Sequence, residues 1–386
     1  MPLSRRHLTV GVLTLISLLV AATLLRLTVE WRQALADIDA MIVTPVTLPE
    51  AHSSEASPFD PDTQLDSNAS AKDSAREELG FNQNGLTGQT SASGQVNPAP
   101  SLAGSAVGGS SSDLQPLNIL LMGTDARPTD TGPTRTDALV LVHLDRQSGK
   151  VSMLSLPRDL WVSYPNGLGE GRVNAAYALG EETFGPGGGP ALAKATVGRL
   201  LSLKVDYFVM INFQGFRTLI DRLGGIAVIV PEEINDPAYP TDDYNTIAVS
   251  FPKGRQFLNG ERALIYARTR HADSDFGRNQ RQQQVLVAIF ERVRDRGLLQ
   301  QLTSLDDYTG AMRGYIQTDV SRGQMLDLAS FARAINLNDI RRFAIDSSVV
   351  VDLKKPSGAT FAAEPKALQR LVAQFTGETV SQVGGE

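Results

Sequence analysis

Residues 118–159 read NILLMGTDARPTDTGPTRTDALVLVHLDRQSGKVSMLSLPRD, and three apolar runs stand out: Asn118–Gly123, Ala138–Leu144 and Lys150–Leu156. Each has strand length and is rich in Ile, Val and Leu. The second and third are joined by Asp145-Arg146-Gln147-Ser148-Gly149, short enough for a tight antiparallel connection. The order of the first two permits, without requiring, that they pair antiparallel as well. In that arrangement the chain leaves strand one, enters strand two and leaves strand three at a single edge. Asp125, Arg135, Asp137 and Arg158 lie within a residue or two of those ends. Positions spread over 34 residues then form one cluster of two carboxylates and two guanidiniums, which is the candidate active site.

Beyond this stretch, strand and helix patterns alternate. Arg172–Leu179 and Pro190–Leu203 read as helices, the second with an apolar face of Leu192, Val197, Leu200 and Leu203. Between them Gly185-Pro186-Gly187-Gly188-Gly189-Pro190 matches no phosphate-loop fingerprint and reads as a mobile loop. Val205–Phe213 is a strand, Gln214–Leu223 a helix ending at Gly224-Gly225, and Ile226–Pro231 a strand. A polar loop over Glu232–Asn245 precedes a helix from Asn259 to Ala267, capped by Asn259. Arg278–Val293 is a clear helix. Late strands are expected at Gly314–Val320 and Arg341–Ser347, with helices at Gly323–Ile335 and Pro365–Phe375. The expected fold is α/β: a three-layer α-β-α domain with a mixed, partly antiparallel central sheet, plus one N-terminal transmembrane helix.

The chain has 386 residues, and its composition shifts along the length. Residues 1–7 form a short stub carrying Arg5 and Arg6. Leu8–Leu25 then runs uncharged, about 27 Å as a helix, which is enough for a hydrocarbon core. This reading places a membrane anchor at residues 8–28. It exceeds the usual apolar region of a cleaved signal peptide. Arginines before it and an acidic segment after it put the N-terminus inside and the rest outside. Residues 29–115 form an expected disordered linker, rich in Ser, Ala, Gly and Pro and too poor in large apolar residues to offset the entropy of ordering. Glu50 to Asp113 holds nine acidic residues against Lys72 and Arg76. The folded domain spans residues 116–375, and 376–386 is a flexible tail.

Zero cysteines remove thiol catalysis, zinc-thiolate sites and disulfides. Four scattered histidines (His7, His52, His143, His271) argue against a His-based metal site or a Ser-His-Asp triad. A net charge of −6 gives no reason to expect nucleic acid as a partner.

Asp125 and Asp137 offer oxygen only, and two carboxylates without imidazole or thiol suit Mg²⁺, which completes its octahedron with water and phosphate. Each alone reads equally as turn chemistry or, for Asp137, an ion pair with Arg135. The other half of the site is expected from Tyr266-Ala267-Arg268-Thr269-Arg270 and the segment around Arg278. On a helix Arg268 and Arg270 would diverge by about 200°, so if both reach one anion the helix must end near Arg268. Arg278 and Gln282 share a face that continues as Leu286, Phe290 and Val293, so it packs inward. Five arginines (Arg135, Arg158, Arg268, Arg270, Arg278) against two aspartates fit a pyrophosphate, which guanidinium forks pair bidentately.

Gly123-Thr124-Asp125-Ala126-Arg127, Arg135-Thr136-Asp137, Ser155-Leu156-Pro157-Arg158-Asp159, Val205-Asp206-Tyr207-Phe208, Leu223-Gly224-Gly225 and Tyr266-Ala267-Arg268-Thr269-Arg270 occur in that order, followed by Arg278 and Arg281-Gln282-Gln283. Together they resemble the LytR-CpsA-Psr family of cell-wall glycopolymer transferases, over about residues 116–348. The resemblance implies a bacterial, single-pass membrane enzyme with its catalytic domain outside the cell. Such an enzyme is an Mg²⁺-dependent phosphotransferase. It moves a glycopolymer from a polyprenyl-pyrophosphate carrier onto a peptidoglycan acceptor through a phosphodiester. By this resemblance Asp125 and Asp137 hold Mg²⁺, and Asp125, Arg135, Asp137 and Arg158 form the catalytic group. The pyrophosphate contacts are Arg135, Arg158, Lys194, Arg268, Arg270, Arg278 and Gln282. An apolar tunnel for the prenyl tail would be lined by Phe208, Met210, Phe213, Phe216, Leu286 and Phe290, which equally serve as ordinary core. Two rivals stand beside this reading: a polyprenyl-pyrophosphate hydrolase, and a non-catalytic polyprenyl-lipid-binding or regulatory membrane protein.

Overall fold

A computed structural model describes residues 32–44, 46–48, 115–125, 132, 134–241, 245–270, 275–297, 310–355 and 358–378. The expected anchor at 8–28 lies outside them, and among the described residues no helix is long and apolar enough to cross a membrane. Most of the expected linker lies outside them too. Its residues 32–41, however, are helical (α1), and Ile42 bridges Thr318. The expectation of disorder fails there because Ala34 and Met41 find apolar cover, so ordering them is offset by burial.

The strands are β1 Leu117–Thr124, β2 Thr136–Asp145, β3 Lys150–Leu156, β4 Trp161–Ser163, β5 Glu170–Arg172, β6 Tyr207–Asn212 and β7 Ile226–Val230. They continue with β8 Ile234–Pro240, β9 Thr246–Phe251, β10 Gly254–Leu258, β11 Ile316–Thr318, β12 Arg341–Ala344, β13 Val350–Lys355 and β14 Gly358–Ala363. The helices after α1 are α2 Ala176–Phe184, α3 Gly188–Leu201, α4 Phe213–Arg222, α5 Gly260–Arg268, α6 Asp275–Asp295, α7 Arg322–Ala334 and α8 Pro365–Thr376.

Six strands form the central sheet in the order β11-β6-β1-β2-β3-β12. β1 pairs antiparallel with β2, and β2 with β3, in the register Gly123↔Ala138 and Leu139↔Leu156. β6 joins β1 in parallel and β12 joins β3 in parallel, which makes the sheet mixed. Alternation along each strand sends side chains to two faces. Leu120, Met122, Leu139, Leu141, Leu154, Leu156 and Phe208 pack with residues of α2, α3 and α8 into one core. Ile119, Leu144 and Val151 face the other way, toward Phe290 of α6 and Leu328 and Phe331 of α7. A further cluster joins β7 to β10 with α5 and α6 beside the sheet.

Two expectations from the sequence need correction here. The glycine-rich run is half helix: Gly188, Gly189 and Pro190 open α3, with Gly187 in the left-handed region at φ 88°. Glycine is required because α2 and α3 pack backbone to backbone, and a Cβ on Gly180 would meet the Gly188 carbonyl oxygen at 2.3 Å. Glu232–Asn245 is not all loop either, since β8 pairs with β9. Pro237 cannot donate to a ladder, and the register shifts between Asp236 and Tyr239. That interruption hid the strand.

Candidate active site

The ends of β1, β2 and β3 meet at one edge, as their antiparallel order requires. There Arg158 donates from Nη1 to Asp137 Oδ1 at 2.7 Å, and its Nε lies 3.4 Å from Asp159 Oδ2. Asp159 also faces Arg172, whose Nε is 3.4 Å from Oδ1. Asp159 thus bridges two guanidiniums.

The second half of the site rests on where α5 stops. Its Asn259 cap accepts from the Arg262 backbone N–H at 2.9 Å, and the helix ends at Arg268 with Thr269 in extended geometry (φ −53°, ψ 141°). This break brings Arg268 and Arg270 to the same cavity. Buried Arg281, on α6, holds the break by donating to the carbonyls of Tyr266, at 3.0 Å, and Thr269. The Thr269 hydroxyl donates to the buried Asp236 carboxylate. Gln283 ties α6 to the sheet through Ser155 Oγ and the Phe343 carbonyl, both at 2.8 Å. Arg268 donates to Tyr239 Oη at 3.1 Å and stacks over the Phe213 ring at 4.3 Å, a contact that only a planar cation makes well.

A cavity of about 560 Å³ opens between the sheet and α4, α5 and α6. Apolar side chains make up much of its lining: Leu121, Val140, Val209, Ile211, Phe213, Phe216, Leu219, Leu286 and Ile289. Asp125, Asp137, Arg158, Asp236, Tyr239, Arg268, Arg270, Arg278 and Gln282 line it as well. A second cavity of about 380 Å³ adjoins it, lined only by polar side chains: Asp125, Thr134, Arg135, Asp137, Arg158, Asp159, Arg172 and Asn174. Asp125, Asp137 and Arg158 belong to both. Arg135 belongs to the polar one alone among these two. It sits near Tyr164, whose hydroxyl burial pushes up to about 12 while the Arg135 guanidinium acts the other way.

The sequence therefore placed Asp125, Asp137, Arg158, Arg268, Arg270, Arg278 and Gln282 at one cavity, and the structure brings them together. Lys194 is not brought there. Its Nζ donates to Asp319 Oδ2 at 2.6 Å and to the Asp206 carbonyl at 2.7 Å, at the far end of β6. Among the expected tunnel residues, Phe213, Phe216 and Leu286 line the apolar cavity. Phe208 and Met210 point to the opposite face of the sheet, into its packed core, and Phe290 packs against Ile119 and Leu144. The strand period is the reason: Val209 and Ile211 take the cavity side. Sequence reading missed Asp236, Tyr239, Arg172 and Asn174. The first two lie on the strand that Pro237 disguised, while Arg172 ends, and Asn174 follows, the three-residue β5, which has no periodic signal of its own.

Asp125 and Asp137 present hard oxygens where the two cavities join, with room for water and phosphate oxygens, and this donor set fits Mg²⁺. Among the described residues no three His, Asp or Glu side chains gather to hold a metal by themselves. A two-carboxylate site leaves the remaining positions to water and ligand, which is the usual habit of Mg²⁺.

Fold and site together define a mixed-sheet α/β protein with an apolar cavity whose charged lining is rich in arginine. The chain belongs to the LytR_cpsA_psr family, whose model matches residues 79–374. The polyisoprenyl-teichoic acid–peptidoglycan teichoic acid transferase TagU of Bacillus cereus is 32% identical over 222 residues, 56% of this chain and 64% of that protein. The regulatory protein MsrR of Staphylococcus aureus is 32% identical over 207 residues, 53% of this chain and 56% of that protein. Both matches span less than two thirds of the relative's own length. Among solved structures, TagV of B. subtilis aligns with a TM-score of 0.53 at 28% identity, covering 69% of this chain and 99% of that one. TagT bound to LIIa-WTA aligns at 0.52 with 25% identity, covering 71% and 94%.

Proposed function

We propose that this protein is a glycopolymer transferase of the cell wall, moving a polymer from a polyprenyl-pyrophosphate carrier onto peptidoglycan through a phosphodiester. The observation that carries the reading is the amphiphilic cavity. Arg158, Arg268, Arg270 and Arg278 converge with Asp125 and Asp137 on a space otherwise lined largely by apolar side chains, matching a charged head group with a greasy tail. Family membership and the TagU relative support the same class of reaction.

In this mechanism the prenyl tail lies along Val140, Val209, Ile211 and Leu286, and the guanidiniums bind the pyrophosphate oxygens. Asp125 and Asp137 would hold Mg²⁺, which when bound supplies charge neutralisation at the pyrophosphate. The acceptor hydroxyl attacks the sugar-proximal phosphorus. The bond to the bridging oxygen breaks, and polyprenyl phosphate leaves with the electron pair. Positioning and charge neutralisation suffice for such a transfer, so no covalent nucleophile is required. Arg281 and Gln283 act as positioning residues, fixing the end of α5 and the seat of α6. The proposal includes the N-terminal anchor at residues 8–28 and places the catalytic domain outside the bacterial membrane.

The test is to incubate the purified chain with a polyprenyl-pyrophosphate-linked polymer, Mg²⁺ and a peptidoglycan fragment. Covalent polymer–peptidoglycan product together with polyprenyl phosphate is expected. Release of free polymer regardless of acceptor would instead identify a hydrolase. The name of the MsrR relative favours a regulatory rival, for which the decisive result is tight donor binding with no product at any Mg²⁺ concentration.

A further inference from the structure

The transferase reading leaves the polar cavity without an occupant. We propose that this cavity is the acceptor subsite and holds a hydroxyl-rich sugar ring of the glycan that receives the polymer. The inference rests on the transferase reading for the reaction, and on three features of the fold for the place.

The first is the side from which it opens. Val173 and Ala176, flanking Asn174, pack into the core on the Leu120 and Leu139 face of the sheet. The apolar cavity lies on the other face, against Leu121, Val140 and Ile211. Asp125, Asp137 and Arg158, at the strand ends, line both. Phosphoryl transfer puts the attacking and leaving oxygens roughly in line through phosphorus. With the lipid phosphate leaving toward the apolar face, the incoming hydroxyl has to arrive from the opposite side. Its oxygen then bonds to phosphorus, the bridging P–O bond breaks, polyprenyl phosphate keeps the electron pair, and the hydroxyl proton passes to water in the polar cavity.

Charge is the second feature. Asp125, Asp137 and Asp159 are balanced by Arg135, Arg158 and Arg172, and no apolar side chain lines the space. A balanced set of donors and acceptors suits the hydroxyls of a sugar, whereas a polyanion needs the positive excess found on the other side. A volume of about 380 Å³ falls within the usual range for small-molecule sites.

The third feature is Asn174 itself. It is 5% exposed, lines the polar cavity, and its side-chain Oδ1 has no hydrogen-bond partner among the described residues. Buried carbonyl oxygens are normally paired, so this one stands ready for a donor such as a sugar hydroxyl or an acetamido N–H.

The experiment compares the full chain with its Asn174→Ala and Arg135→Gln variants. Calorimetry measures two probes separately, a soluble disaccharide of N-acetylglucosamine and N-acetylmuramic acid, and geranylgeranyl pyrophosphate. Asn174→Ala should weaken the disaccharide by about tenfold, the worth of one buried hydrogen bond, and leave the prenyl pyrophosphate within about twofold. Arg135→Gln, at an exposed side chain, should weaken the disaccharide severalfold and keeps the test decisive if the buried variant does not fold. Unchanged disaccharide affinity in the folded variants overturns the subsite. It is equally overturned if a sugar-bearing prenyl pyrophosphate loses affinity while the disaccharide does not, since the cavity then belongs to the donor. Binding decides the subsite, and wild-type transfer decides the reaction, so one can fail without the other.

Discussion

Leu120, Met122, Leu139 and Leu141 project from one face of the central sheet, while Leu121, Val140, Val209 and Ile211 project from the other. The two sets differ little in chemistry. On the first face α2, α3 and α8 close down until Leu120 and Leu141 are wholly buried. On the second, α4, α5 and α6 arch away and leave about 560 Å³ open. Identical apolar alternation therefore builds a packed core on one side and a binding cavity on the other, and the difference lies in how the covering helices are held. Arg281 and Gln283 belong to that difference, because they spend buried hydrogen bonds on fixing α5 and α6.

The largest test of this contrast is Asp125→Ala, at the rim that both cavities share. Transfer from a polyprenyl-pyrophosphate donor should fall by about 10³-fold, or ~4 kcal/mol of transition-state stabilisation. The unfolding midpoint should barely move, since this side chain is exposed. Undiminished turnover would sink the assignment of the carboxylates. Next comes a matched pair measured by chemical denaturation. Leu141→Ala on the packed face should cost about 2–5 kcal/mol, and Leu121→Ala on the cavity face clearly less, because less packing is lost beside an existing void. Equal costs would show the second face to be filled in solution. Smaller again, Val209→Phe adds volume where space exists. It should weaken prenyl pyrophosphate by about tenfold, ~1.4 kcal/mol, while the overpacking penalty of a closed core is avoided.

The smallest effect concerns His143, buried on β2 with Nδ1 2.8 Å from Asn118 Oδ1 and its ring 5.5 Å from that of Phe375. Burial lowers its pKa below the ordinary 6.5, with the Asp145 carboxylate partly opposing. The unfolded chain then takes up a proton first, so stability is full above pH 6.5 and declines as pH falls toward the lowered value. Thermal melts between neutral and mildly acidic pH should show this slope in the wild type and a shallower one in His143→Gln.

Much of the site was legible because its constraints are local. β1, β2 and β3 have clean apolar runs and a short connection at Asp145–Gly149, so antiparallel pairing brings Asp125, Asp137 and Arg158 to one edge. The stop of α5 at Arg268 was legible from a requirement, that two arginines two residues apart reach one anion. Lys194 was not, because its partner Asp319 lies 125 residues away and nothing local announces the pair. Nor could Phe208 and Met210 be told from Val209 and Ile211 as cavity lining, since both sets fit the same strand.

The chain alone marked the strands of the sheet, put the carboxylates at strand ends and called for α5 to stop near Arg268 if Arg268 and Arg270 are to meet one anion. Periodicity, caps and turn residues act over a few positions, so they leave their mark in the sequence itself. Only the tertiary structure decided which face of the sheet stays open and on which side of it Arg135, Arg172 and Asn174 come to rest. Those outcomes depend on helices held by contacts such as Gln283 to Ser155, 128 residues apart, and a void is defined by what fails to reach it.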